Sequence, residues 1–137
     1  MTLKIILRGW VPPSANQMLR THFAVAKRAQ VKLKWMVADA IATDSGRFET
    51  LPPEFIRASG PMGMTVVVFR KRRLDTDNAM AGLKGLVDVV KDLGLIHDDS
   101  PKWLDLGLDQ RIDAANPRTE IAIEPMAGTP RAKSNRR

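Results

Sequence analysis

Residues 64–95 read "MTVVVFRKRRLDTDNAMAGLKGLVDVVKDLGL". The first seven, 64–70, form a β-branched and aromatic run that predicts a strand. From about Asn78 to Leu93 the apolar positions Leu83, Val87 and Val90 recur at helical spacing, and Gly94 stands where a helix commonly stops. A strand feeding a helix through a charged connection is one unit of an α/β or α+β sheet. On the far side, "KWLDLGLDQRID" (102–113) alternates Leu104, Leu106 and Leu108, with Gln110 in the same phase, against Trp103, Asp105, Gly107, Asp109 and Arg111. That alternation predicts a second strand. "NP" at 116–117 turns the chain, and "TEIAIEP" (119–125) predicts a closing strand.

Towards the N-terminus, residues 2–8 (TLKIILR) predict a first strand, ended by "GWVPPSAN" (9–16), whose two prolines cannot continue a ladder. From Thr21 to Thr43 a helix is expected, with Val25, Ala29, Leu33, Met36 and Ala40 in its apolar stripe. Lys27 and Lys34 fall on its other side, where they serve either as solvated charges or as contacts to a DNA backbone. Residues 44–61, rich in Gly and Pro, predict a loop. The expected order is β-α-β-α-β-β: an α+β fold in which a small mixed sheet of about four strands carries two packed helices. One domain spans residues 1–125, followed by a basic, compositionally disordered tail at 126–137.

The chain has 137 residues and a formal net charge of +7. Residues 75–113 contain nine aspartates and four cations, a balance of −5, so the remainder carries +12. A basic body around an acidic centre suits a protein that binds a polyanion and also holds a divalent cation. Carboxylates would repel phosphate unless a metal lay between them. The competing reading is a solvated acidic stretch. Cysteine is absent, which excludes disulfides and Cys-based zinc sites and suits a reducing cytoplasm. No apolar run approaches the ~20 residues of a membrane span, so no membrane partner is expected.

The connection 70–78 concentrates the chemistry. Arg70, Lys71, Arg72 and Arg73 precede Asp75 and Asp77. If the backbone stays extended through 75–77, both carboxylates point one way, and Mg²⁺ or Mn²⁺ would turn their repulsion into ligation. Continued as one helix, Asp77, Ala81, Lys84 and Asp88 form a polar stripe. Lys84 and Asp88 are equally read as a surface i,i+4 pair. Asp98–Asp99 lie beyond the helix and reach Asp75–Asp77 only if the return loop, a neighbouring strand or a second subunit brings them there. An EF-hand is excluded because Ala79, Met80 and Leu86 occupy its fifth, sixth and twelfth positions. His22 and His97 are too isolated for a His-based metal centre.

Together, D-x-D-N (Asp75, Asp77, Asn78), a Lys and an Asp four apart (Lys84, Asp88) and G-x-x-x-D-D (Gly94, Asp98, Asp99) resemble the core of the RusA family of Holliday-junction resolvases. "GWVPPSAN" resembles that family's Pro-Pro-Ser-x-Asn segment, with Asn16 and then Arg20 at a matching distance. The resemblance covers roughly residues 3–125. Lys84 departs from it, lying three residues farther from Asp77 than in the type member. The resemblance implies a bacterial or phage-encoded, Mg²⁺-dependent endodeoxyribonuclease, a homodimer that resolves four-way DNA junctions by paired symmetric nicks. It implies Asp75, Asp77 and Asp99 as metal ligands, Asp98 in support, and Lys84 as the catalytic lysine. Arg70–Arg73 would hold the DNA backbone beside the metal. Two alternatives stand: a non-catalytic basic nucleic-acid-binding protein, and a metal-dependent nuclease for other branched DNA or RNA.

Overall fold

The computed structural model describes residues 3–44 and 60–126. The predicted tail beyond Met126 and most of the predicted 44–61 loop lie outside the described residues. Four strands, β1 (Leu3–Arg8), β2 (Met62–Arg70), β3 (Leu104–Ile112) and β4 (Arg118–Pro125), form one open mixed sheet in the order β1-β4-β2-β3. Among the described residues four helices accompany them: α1 (Ala15–Arg20), α2 (Phe23–Asp44), α3 (Thr76–Ala81) and α4 (Lys84–Asp92). The α+β class and four-stranded sheet agree with the sequence reading.

β4 pairs antiparallel with both β1 and β2, which are therefore parallel to each other, while β2 pairs parallel with β3. Three parallel strands thus end at one edge of the sheet, at Arg8, Arg70 and Ile112. Parallel neighbours need a crossover, and α3–α4 supplies it between β2 and β3. Alternation sets which face is covered. Leu3, Ile5 and Leu7 of β1, Met62, Met64, Val66 and Val68 of β2, and Ile121 and Ile123 of β4 are buried. They pack with Leu33, Val37 and Ile41 of α2 and Leu86, Val87, Val89 and Val90 of α4. Burying a side chain of this size contributes about 1.5–3 kcal/mol.

Gly94 has φ +80°, as a helix-ending residue should. Its N–H donates to Lys91 O at 2.9 Å, and Leu95 N–H to Val90 O at 3.1 Å. This pair of bonds satisfies the last carbonyls of α4 while Leu95 turns into the core.

Three expectations change. The helix predicted over 78–93 begins earlier and is broken: α3 and α4 are separated by Gly82 and Leu83, where Leu83 N–H donates to Met80 O at 3.1 Å, a three-residue step. Glycine stands at this step because a Cβ on Gly82 would overlap the Pro13 carbonyl oxygen. The tighter turn advances the chain faster than ~100° per residue, so the continuous stripe from Asp77 to Asp88 does not hold. Helix was expected only from Thr21, yet residues 15–20 form α1, started by a capping box in which Ser14 accepts from Gln17 N–H and Gln17 accepts from Ser14 N–H. Finally, Val25 and Ala29 are exposed rather than part of the apolar stripe of α2; the buried series is Leu33, Val37 and Ile41.

Candidate functional site

The loops leaving β1 and β2 meet at the carboxyl edge of the parallel strands, the edge where open α/β sheets place ligands. Two hydrogen bonds tie them together. Arg70 donates from a guanidinium NH to Pro12 O at 3.0 Å, and Ala15 N–H donates to the Asn78 side-chain oxygen at 2.7 Å. Arg70 is half-buried, its Nε has no hydrogen-bond partner among the described residues, and burial lowers its pKa. It acts as a clamp on the proline loop. Arg73 donates to Gln110 O at 3.2 Å. Lys71 and Arg72, between them, are exposed.

Gln110 is a site residue the sequence pattern underrated. It is buried in the leucine phase of β3, where its Oε1 accepts from Leu74 N–H at 3.0 Å and its Nε2 donates to Leu74 O at 2.9 Å. This two-point clasp fixes the backbone one residue ahead of Asp75. An amide in an otherwise apolar strand phase was the available signal, because a buried Gln needs partners.

Asp75 is the N-cap of α3: its backbone is extended (φ −65°, ψ 157°), and its Oδ1 accepts from Asn78 N–H at 3.0 Å. Asp77 lies in the first helical turn, not in an extended segment, so the two carboxylates do not share a side by strand alternation. They are brought together by the helix start instead. Both are exposed and line a depression of about 470 Å³ with Ala15, Asn16, Thr76 and Asn78. The Asn78 amide oxygen is committed to the start of α1, which makes it a strut of this depression.

Lys84, the first residue of α4, is exposed, and Asp99 lines the same groove, together with Met18, Met80, Leu83, Val87 and Leu104. Asp98 turns elsewhere. It pairs with Lys91 at 3.2 Å, and the hydrogen bond from Lys91, then that from the Asp99 backbone N–H, holds its carboxyl below the ordinary range. Asp98 therefore shapes the loop that presents Asp99. Asp88 is half-buried on α4. His97 packs against Trp103, with ring centroids 4.2 Å apart and the ring planes tilted by 48°. Arg20 ends α1, and Lys27 and Lys34 are exposed on α2.

Among the described residues, no three His, Cys, Asp or Glu side chains are gathered so as to hold a metal ion. Asp75 and Asp77 share one depression, and Asp99 lines the neighbouring groove. The donor set still fits a hard cation: Mg²⁺ is usually held by one or two carboxylates, with water and substrate phosphate completing the shell. No helix among the described residues is long and apolar enough to cross a membrane. The chain matches no protein-family model and no curated protein.

Proposed function

We propose that this protein is a metal-dependent, structure-selective endodeoxyribonuclease that cuts four-way DNA junctions, in keeping with its resemblance to the RusA family. The observation that carries the reading is the exposed Asp75–Asp77 pair at the start of α3, on the carboxyl edge of the sheet and next to the exposed cations Lys71 and Arg72. Asp75 and Asp77 would hold Mg²⁺ or Mn²⁺, which when bound lowers the pKa of a water and polarises the scissile phosphate. Lys71 and Arg72 draw the phosphate backbone towards a cluster that would otherwise repel it. Lys84, exposed in the groove that Asp99 also lines, would neutralise charge on the phosphoryl oxygens. Phosphodiester hydrolysis here leaves a 5′-phosphate and a 3′-hydroxyl. A homodimer supplies the two equivalent sites that paired nicks require. It is also the arrangement in which Asp99 could join Asp75 and Asp77 across subunits.

The separate placement of Asp99 favours a second reading, a basic DNA-binding protein without catalysis. One experiment distinguishes them. Asn also caps helices well, so Asp75→Asn keeps the start of α3, and Asp77 is exposed in the first turn, so Asp77→Asn also keeps the fold; both remove charge from the depression. On a synthetic four-way junction the wild type should give symmetric nicks with Mg²⁺ and none with EDTA. Both variants should lose cleavage while binding the junction normally in Ca²⁺. Undiminished cleavage by either variant counts against the site, and absence of nicking by the wild type favours the binding protein. Equal cutting of linear duplex and junction would replace the resolvase by a less selective nuclease.

A further inference from the structure

The outer side of α2 is chemically unusual. Phe23, Lys27, Val31 and Trp35 follow one another at steps of four, each step advancing the helix by only about 40° and ~6 Å, so they form one slowly winding ridge ~18 Å long. The ridge faces away from the core. Phe23 is 75% exposed, Val31 53% and Trp35 72%, whereas Leu33, Val37 and Ile41 on the opposite side are buried. The Lys27 ammonium lies 5.8 Å from the Phe23 ring centroid. Arg28, Lys32 and Lys34 flank the ridge, and Arg20 lies just ahead of it at the end of α1. No acidic residue precedes Asp39 in the entire chain. Among the described residues none of these cations forms a salt bridge.

We infer that this ridge is a stacking platform for unpaired bases: a single-stranded nucleic-acid site in which Trp35 and Phe23 take base faces and the surrounding cations take the phosphates. Aromatic side chains spaced along a cationic track are what single-strand binding requires, because every base has a π-face and every linkage a negative charge. The length accommodates about five bases at ~3.4 Å each. The charge argues against other occupants. In a two-fold contact between copies, Lys27, Arg28, Lys32 and Lys34 would meet their own equivalents, with only Asp39 nearby to offset them. On a membrane, Lys27 would interrupt the apolar face that has to enter the lipid. The ridge begins three residues after α1, and α1 is hydrogen-bonded to Asn78 beside Asp75 and Asp77. Strands opened at a branch would therefore have an aromatic surface leading away from the cutting site.

The inference rests on the nucleic-acid reading above for its ligand class, but it needs neither metal nor cleavage, so the test is run in EDTA. Labelled oligothymidylate of fifteen nucleotides and a fifteen-base-pair duplex are titrated with the full chain, with anisotropy as the readout. Trp35→Ala should weaken oligothymidylate binding about 5- to 150-fold, the range of one lost base stack, and duplex binding much less. Trp35→Phe should retain most of the affinity. Thr65→Ala, an exposed change on the face of β2 opposite the buried Met64 and Val66, should leave it unaltered. Wild-type binding that Trp35→Ala leaves intact overturns the platform while sparing the nuclease reading. A wild type that binds neither oligonucleotide also overturns the platform, whereas the nuclease reading stands or falls separately on whether the same protein nicks a four-way junction with Mg²⁺. If Trp35→Ala instead dissolves a dimer, or abolishes binding to anionic phosphatidylserine vesicles while oligonucleotide affinity stays constant, the ridge belongs to a protein or membrane contact and the platform is wrong.

Discussion

Replacing Gln110 by Leu tests whether the clasp on Leu74 positions the acidic loop. Leu suits the phase that Leu104, Leu106 and Leu108 already follow and has nearly the same length, so packing is largely preserved. What disappears is the pair of hydrogen bonds to Leu74, at 3.0 and 2.9 Å. A typical intramolecular hydrogen bond contributes about 0.5–1.5 kcal/mol net, and a buried backbone group left without a partner costs about 1–3 kcal/mol. Leu74 is half-buried, so water recovers part of that loss, and the leucine side chain returns some apolar burial. The balance is a destabilisation of about 1–3 kcal/mol. For a domain of this size that lowers the melting temperature by roughly 4–12 °C. Urea unfolding gives the free energy, and amide exchange at Leu74 reports the local event, since that N–H loses its acceptor. Mn²⁺ affinity should fall as well, with Asp75 and Asp77 both intact. If unfolding changes by less than about 0.5 kcal/mol and the Leu74 amide exchanges no faster, Gln110 is not the anchor of this loop.

Other substitutions separate scaffold from chemistry. Gly82→Ala should cost about 1–3 kcal/mol by thermal melting, because the new methyl group must displace the Pro13 carbonyl, and a neutral result would mean that the proline loop yields freely. Asn78→Ala removes the acceptor of the Ala15 N–H, which should lower stability by about 1 kcal/mol and speed exchange at that amide. The hydrogen bond from Arg118, then that from the Asn116 backbone N–H, holds the Asp113 carboxyl below its ordinary range. With a folded pKa depressed below the unfolded one, its contribution is present above the ordinary aspartate value and is lost as pH falls through the folded pKa. Arg118→Gln should therefore raise the Asp113 midpoint in an NMR titration and reduce stability near neutrality relative to strongly acidic pH. An unmoved midpoint would contradict the pairing.

The parts legible in the sequence are those where local pattern and tertiary context agree. The β-branched run 64–70 and the alternation in 104–110 gave β2 and β3, because each strand has one buried face that such residues fill. Gly94 was legible because a positive φ at a helix end favours glycine. The break at Gly82 was not, since a single glycine is tolerated within a helix and the Pro13 carbonyl packed against it is distant in sequence. The stripe of α2 was misplaced for a related reason. Periodicity shows that apolar residues share a side but not how far the supporting sheet extends, and Val25 lies where nothing covers it. At the site, the acidic pair was visible while its backbone was not. Asp75 followed three residues later by the N–H of Asn78 is a helix cap, and that reading moves Asp77 from a strand to a helical turn.

Hydrogen bonding divides the polar residues around the carboxyl edge into two groups. Arg70, Arg73, Asn78, Asp98 and Gln110 each spend polar groups on tying a connection to its neighbours, through Pro12, Gln110, Ala15, Lys91 and Leu74 respectively. Ordering a loop costs about 1–2 kcal/mol per residue in backbone entropy, so several such bonds are needed to hold 9–16, 71–75 and 97–100 in place. Asp77, Lys84, Asp99, Lys71 and Arg72 are instead exposed, and none of them is in a salt bridge among the described residues. A block of four cations next to two aspartates could have neutralised itself internally. It does not: Arg70 and Arg73 turn back to carbonyl oxygens, and the carboxylates and the remaining cations face solvent separately. That separation makes sense if each sign has its own external ligand, phosphate for the cations and a divalent metal ion for the acids.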